Sequence, residues 1–299
     1  MLKPTLTLAT LLVLAGATGA TAQDLLSPND LVQMAADVTA PAARISYGDE
    51  PYQFGLLRVP EGSGPHPLII AIHGGCYLSV FDIEHFAPFE QALADEGYAV
   101  WSLEYRRVGN EGGGWPNSFL DVAKGIDFAR ELIGRDRLNL DADRIYAVGH
   151  SAGANYAIWA AARPGIDPTS DVYVADPLPI TGVLGLAPAA TLGEFQSTGV
   201  CGGVIDGLLG GSAEDFPDRY DAVSPMRLMP NGVPQRLVIG GLDRGWAPAG
   251  HAYYDAAIAD GGSDVTSVEA PESGHFEMIA PTSSTWSIVL EELRKLKGR

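Results

Sequence analysis

The sequence predicts an α/β fold with a mostly parallel central sheet and helices on both faces, and three observations carry that prediction. Short apolar, β-branched runs recur at "PLIIAIHGG", "YAVWSLEY", "RIYAVGH", "ITGVLGLAP", "QRLVIGG" and "VTSVEAP", the kind buried on both faces of a parallel sheet. Helical patterns lie between them, as an alternating strand-helix chain requires. Glycines close those patterns at Gly97, Gly134 and the Gly261-Gly262 pair.

The elements follow in chain order. Met1-Leu2-Lys3, the apolar run from Leu6 to Leu14 and the small-x-small Ala20-Thr21-Ala22 read as a secretory signal peptide over residues 1–22, cut after Ala22. "SPNDLVQMAADVT" allows one short helix, and "ARISYG" with "YQFGLLRVP" reads as an antiparallel entry pair. "EHFAPFEQALADEG" is a helix ending at Gly97, and "PNSFLDVAKGIDFARELIG" is one helix from Pro116 to Gly134. An Ala-rich helix follows Ser151, another covers "GHAYYDAAIADGG", and a last one covers "STWSIVLEELRKL". Without repeats or low-complexity linkers, residues 23–299 form a single domain.

Composition sets limits on partners. At 46% hydrophobic and 19% charged residues, 299 residues bury a large core. The net charge is −18; losing the leader removes Lys3 and no acid, giving −18 − 1 = −19. Such a surface repels phosphate backbones, and the densest basic spots are only Arg106-Arg107 and Lys295-Leu296-Lys297, so nucleic acid is excluded as a partner. No apolar run long enough to cross a bilayer follows the leader, so the processed chain is expected to have no membrane span and to be periplasmic or secreted. In an oxidising compartment the two cysteines, Cys76 and Cys201, are a possible disulfide. No His/Cys spacing suits a metal, and no glycine run has the phosphate-loop pattern.

The chemistry starts at "RIYAVGHSAGANYAIW". A strand that turns into a helix through Gly149-His150-Ser151-Ala152-Gly153 makes a tight corner and lifts the Ser151 hydroxyl clear of the sheet. A serine needs a base. Of six histidines, His275 in "PESGHFEMI" sits in a Gly-marked loop after a strand, at the same carboxyl edge as Ser151. The others read as structural: His66 in a polar loop, His85 opening a helix, His150 within the corner, His251 in a helix, and His73 bracing its own loop. The base needs an orienting carboxylate, and Asp243 in "RLVIGGLDRG" follows a buried strand at that edge. Asp206, Asp215, Asp218 and Asp221 lie in a polar, helical segment and read as solvated face. Negative charge on the reacting carbonyl needs backbone donors, which Gly74, Gly75 and Ala152 can supply as an oxyanion hole.

With "SYGDEPYQFGLLRVP", "IHGGCY", "EYR", "GHSAGA", "GGLD" and "GHFEMI", the chain resembles the α/β-hydrolase superfamily, near the hormone-sensitive-lipase and kynurenine-formamidase esterases. That resemblance implies an α/β-hydrolase catalytic domain over 23–299, a Ser151-His275-Asp243 triad, acyl-enzyme chemistry on a small-molecule ester, and no cofactor. Relatives read H-G-G-G or H-G-G-x-W, whereas Cys76-Tyr77 follows here. The short segment before the first strand implies a minimal cap. Tyr77, Trp115, Phe195 and Trp246 are candidates to line an aromatic pocket. An arylformamidase or other amide or peptide hydrolase on the same triad is the alternative within the class. A non-catalytic binding module on this fold is the alternative outside it.

Overall fold

A computed structural model describes residues 25–190, 192–193, 200–229, 232–261 and 264–297; the predicted leader, 1–22, and Phe195 lie outside them. Eight strands form one sheet: β1 (Ala43–Ser46), β2 (Phe54–Arg58), β3 (His66–Ile72), β4 (Ala99–Leu103), β5 (Leu140–His150), β6 (Gly182–Leu186), β7 (Gln235–Gly240) and β8 (Val265–Ala270). Their order is β1-β2-β4-β3-β5-β6-β7-β8. The entry strands β1 and β2 pair antiparallel, β2 pairs antiparallel with β4, and every later pairing is parallel. Each residue of β3, β4, β6 and β7 is buried, so both faces of the sheet are covered.

The described helices are α1 (Pro28–Ala35), α2 (Ala87–Asp95), α3 (Asn117–Asp127), α4 (Ala129–Ile133), α5 (Ala152–Ala162), α6 (Val204–Leu209), α7 (Pro217–Val223), α8 (Ala247–Asp260) and α9 (Trp286–Lys297). Helix α5 packs on β5 and β6, α8 on β7 and β8, and α9 on β6 and β7. Buried on every residue, α5 has no polar face to display. Ser27 caps α1 by exchanging hydrogen bonds with Asp30, whose carboxylate receives the Ser27 N–H at 2.7 Å and hydroxyl at 2.6 Å.

Two expectations need correction. The single helix predicted from Pro116 to Gly134 is divided at Phe128 into α3 and α4. There the Gly125 carbonyl, which would receive the Ala129 N–H one turn on, accepts the Trp101 indole N–H at 2.9 Å from the sheet. His66 is not in a loop but opens β3 and is buried, because its N–H pairs with the Asn139 carbonyl at 2.8 Å and draws the strand back by one residue.

Because β3 to β8 run parallel, the loops that leave β3, β5, β7 and β8 emerge at one edge. These loops contain Gly74-Gly75, Ser151, Asp243 and His275. Cys76 and Cys201 are joined by a disulfide, with Cα atoms 5.4 Å apart at a sequence separation of 125. Denatured protein kept from reductant should therefore show no titratable thiol, and two after reduction. Replacing both cysteines by serine should cost about 2–4 kcal/mol in denaturant unfolding. Two reactive thiols before reduction would contradict the crosslink.

Candidate active site

The corner at Ser151 is built from backbone contact. A Cβ on Gly149 would stand 2.0 Å from the Gly153 carbonyl oxygen, and one on Gly153 would stand 2.0 Å from the Ile72 carbonyl oxygen. Only glycine permits the end of β5, the start of α5 and the end of β3 to approach so closely. Ser151 itself takes φ +59° and ψ −124°, a conformation L residues avoid. Its N–H donates to the Leu186 carbonyl at 2.8 Å and its own carbonyl receives Ala154 N–H at 2.9 Å, so the strained turn is held from both sides.

Asp243 and His275 come together across two loops that are themselves tied. The Leu242 N–H donates to the Ser273 carbonyl and the Gly241 N–H to the Ala270 carbonyl, both at 2.9 Å. His275 Nδ1–H then donates to Asp243 Oδ2 at 2.6 Å, which leaves Nε2 as the free, accepting nitrogen of the neutral ring. The ring lies 4.8 Å from that of Trp246 and 4.6 Å from that of His150. His150 also reaches the backbone of His275: its Nε2–H donates to the His275 carbonyl at 2.8 Å. Burial, with the His275 ring alongside, holds the His150 imidazole well below the usual histidine range.

Ser151, Asp243 and His275 line one pocket of about 320 Å³. Ser151 forms no hydrogen bond to His275 in this structure, and the two meet through the shared pocket wall. Of the predicted aromatic residues, Trp246 lines the pocket. Tyr77 does not: it is buried beside Tyr156, with rings 5.5 Å apart. Trp115 belongs instead to a separate groove with Phe216 and Arg219, its indole N–H donating to Asp171 at 3.1 Å. Reasoning from the sequence missed Pro28, Phe81, His85 and Phe276, which complete the wall. Position alone pointed to Phe276, next to the predicted base, and to Phe81, a few residues beyond Gly75.

The loop after β3 carries Gly74 and Gly75, followed by a left-handed run in which Gly75, Cys76 and Tyr77 have φ of +114°, +52° and +58°. Beneath it His73 stacks on Tyr105 at 4.6 Å, and the Tyr105 hydroxyl donates to the His73 carbonyl at 2.8 Å. The ring's Nδ1–H donates to the Gly74 carbonyl at 2.7 Å, and Nε2 accepts from Arg107 at 3.0 Å. Arg107 is ion-paired with buried Glu104, which also accepts the Ile83 N–H at 3.2 Å. His73 thus braces the loop, as the sequence reading has it. Ala152, the first residue of α5, has a backbone N–H with no partner inside its helix.

A family model, BD-FAE, matches residues 56–245, more than half of the chain and the stretch from within β2 to just past Asp243. The chain belongs to the BD-FAE family. This is an α/β-hydrolase-type family of esterases, in keeping with the superfamily resemblance drawn from the motifs. A search of curated protein sequences returns no match. Among solved structures, the chain is similar to esterase B from Lactobacillus rhamnosis inhibited by a C6-C4 SN3 compound. That pair shares 19% identity over 90% of this chain and 91% of that one, with a TM-score of 0.74. It is also similar to an acetyl ester-xyloside bifunctional hydrolase from Caldicellulosiruptor lactoaceticus, with 18% identity, 88% and 98% coverage, and a TM-score of 0.69. A bifunctional GH43-CE protein from Bacteroides eggerthii matches at 19% identity and a TM-score of 0.67, over 85% of this chain, which spans only 37% of that protein's length. At such identities these likenesses speak for the fold.

His150 and His85 are both buried, and His85 is pushed down from 6.5 to about 3 by burial and by nearby His73. Both folded-state values are depressed, so the two rings contribute stability that is present above about pH 6.5 and lost as pH falls, while the unfolded rings take up protons. The BD-FAE chain should therefore bind protons on unfolding near pH 5. His150→Gln should reduce that uptake by about one proton and flatten stability against pH by up to about 1.4 kcal/mol per pH unit. An unchanged slope in chemical denaturation would contradict the buried neutral ring.

Proposed function

We propose that this BD-FAE protein is a serine carboxylesterase that cleaves esters of small to medium size through an acyl-enzyme, with Ser151 as nucleophile, His275 as base and Asp243 as its orienting carboxylate. The observation that carries this reading is the 2.6 Å His275 Nδ1–Asp243 hydrogen bond in the pocket that Ser151 lines. That bond fixes the tautomer whose Nε2 can accept a proton, which is what a serine base must do.

In the first step the Ser151 hydroxyl attacks the ester carbonyl and His275 Nε2 takes its proton. The oxyanion is held by backbone N–H groups from Gly74, Gly75 and Ala152, donors of a kind typically worth about 100- to 1000-fold each. The resulting imidazolium, stabilised by Asp243, protonates the departing alcohol. Water then attacks the acyl carbonyl as His275 takes its proton, and the imidazolium returns that proton to Ser151 Oγ as the acid leaves. A pocket of about 320 Å³ with Phe81, Trp246 and Phe276 in its wall suits an apolar acyl or alcohol group of modest size. The proposal includes a periplasmic or secreted place of work, which the Cys76–Cys201 bond supports.

The test compares wild type with Ser151→Ala and Asp243→Asn on p-nitrophenyl esters of increasing acyl length, with N-formylkynurenine alongside. Ester turnover should fall by at least about 10⁴-fold in Ser151→Ala and by about 10⁴-fold in Asp243→Asn. It should decline in wild type once the acyl chain outgrows the pocket. Turnover of the formamide alone would move the protein to the amidase reading. Folded but inert wild type on every substrate would favour the binding module.

A further inference from the structure

One polar side chain stands in the otherwise largely apolar wall beside Ser151 without belonging to the proposed triad or its supports. His85 lies on the 3-10 turn Ile83–Phe86, is 7% exposed, and contributes to the pocket with Phe81, Trp246 and Phe276. The turn is fixed at its start, since Asp82 accepts the Glu84 N–H on its carboxylate at 3.0 Å. The ring is fixed as well: it meets His73 edge-on at 5.6 Å and Phe81 at 6.2 Å.

The protonation pattern of that ring follows from its bonds. Its Nδ1 lies 2.5 Å from the Asp82 carbonyl oxygen, which can only accept, so Nδ1 carries the proton. Burial disfavours a second proton, as the depressed value of about 3 reflects. Nε2 is then a lone-pair acceptor with no donor among the described residues. Unlike Nδ1 of His150, it is not sealed from solvent within the protein. A pocket that dries when substrate enters would leave this acceptor stranded unless the substrate brings a donor.

We propose that His85 is a specificity-determining residue whose Nε2 accepts a hydrogen bond from a hydroxyl group on the ester bound at Ser151. The enzyme thereby favours hydroxylated esters over their deoxy analogues. The inference rests on the esterase reading and deepens it. An ester lacking the hydroxyl leaves Nε2 dehydrated and unpaired, while one that has it exchanges water for an equivalent bond.

Two matched pairs test it: methyl butyrate against methyl 3-hydroxybutyrate, which varies the acyl part, and ethyl against 2-hydroxyethyl butyrate, which varies the alcohol. The readout is the ratio of kcat/KM within each pair, so a general change in rate does not enter. Wild type should favour the hydroxylated member of at least one pair by about 10-fold, of the order expected for one hydrogen bond. The pair concerned says which side of the ester faces His85. His85→Phe should bring that ratio to about one, with His85→Leu serving if the phenylalanine variant does not fold. His85→Gln, which keeps an acceptor, should retain part of the preference. Absence of preference in both wild-type pairs, or its persistence in His85→Phe, would overturn the proposal. Failure of wild type to hydrolyse any of the four esters would instead overturn the esterase reading, and this inference with it.

Discussion

Everything at the active edge depends on one constraint: three stretches of backbone touch with no side chain between them. The end of β3, the Ser151 turn and the first turn of α5 meet at Gly149 and Gly153, where a β-carbon would overlap a carbonyl oxygen at 2.0 Å. The contact continues to Gly74, whose Cβ would stand 2.7 Å from the His150 carbonyl and 2.9 Å from the Ser151 side chain. The distance between the serine and the loop of candidate oxyanion donors is therefore set by packed main chain, which cannot adjust as a rotamer can. The positive φ of Ser151 persists because its neighbours over-determine it.

The same logic extends to the loop after β3, where two non-glycine residues, Cys76 and Tyr77, also hold positive φ. Each such residue costs on the order of 1–3 kcal/mol, so the loop needs anchors. It has one on either side of Gly74-Gly75. Upstream, His73 is clamped by Tyr105, Arg107 and Glu104. Downstream, Cys76 is tied to Cys201. Glu104 also accepts the Ile83 N–H, which links the brace under the loop to the turn that carries His85. The wall of the pocket and the loop of backbone donors thus share one buried ionic support, and an arginine so buried would be left uncompensated if its carboxylate were removed.

How much of this was legible in the sequence varies with the kind of signal. Strands buried on both faces announce themselves as unbroken apolar runs, as β3, β4, β6 and β7 do, whereas β8, expected to be of the same kind, is the edge strand and leaves Thr266 and Glu269 exposed. Asp243 and His275 were legible because each follows a strand at the edge that Ser151 occupies. The break at Phe128 was not, because it depends on Trp101 reaching from the sheet to the Gly125 carbonyl, a contact between residues 24 apart in sequence. The pocket wall was least legible. Trp115 and Tyr77 are large and aromatic, but which cavity an aromatic ring faces depends on the path of its loop, and here one lies in another groove and the other in the core. His85 read as the start of a helix because only the three-dimensional turn brings its ring to the pocket.

The central claim is that Ser151 is the nucleophile of an acyl-transfer site. It is tested most directly by treating the folded protein with a p-nitrophenyl alkylphosphonate, mapping the adduct by peptide mass spectrometry, and following residual esterase activity in the same samples. The account predicts one adduct per chain, on Ser151, with activity lost in proportion to labelling. An adduct on another residue that carries the loss of activity, or full activity in chains labelled at Ser151, would contradict it.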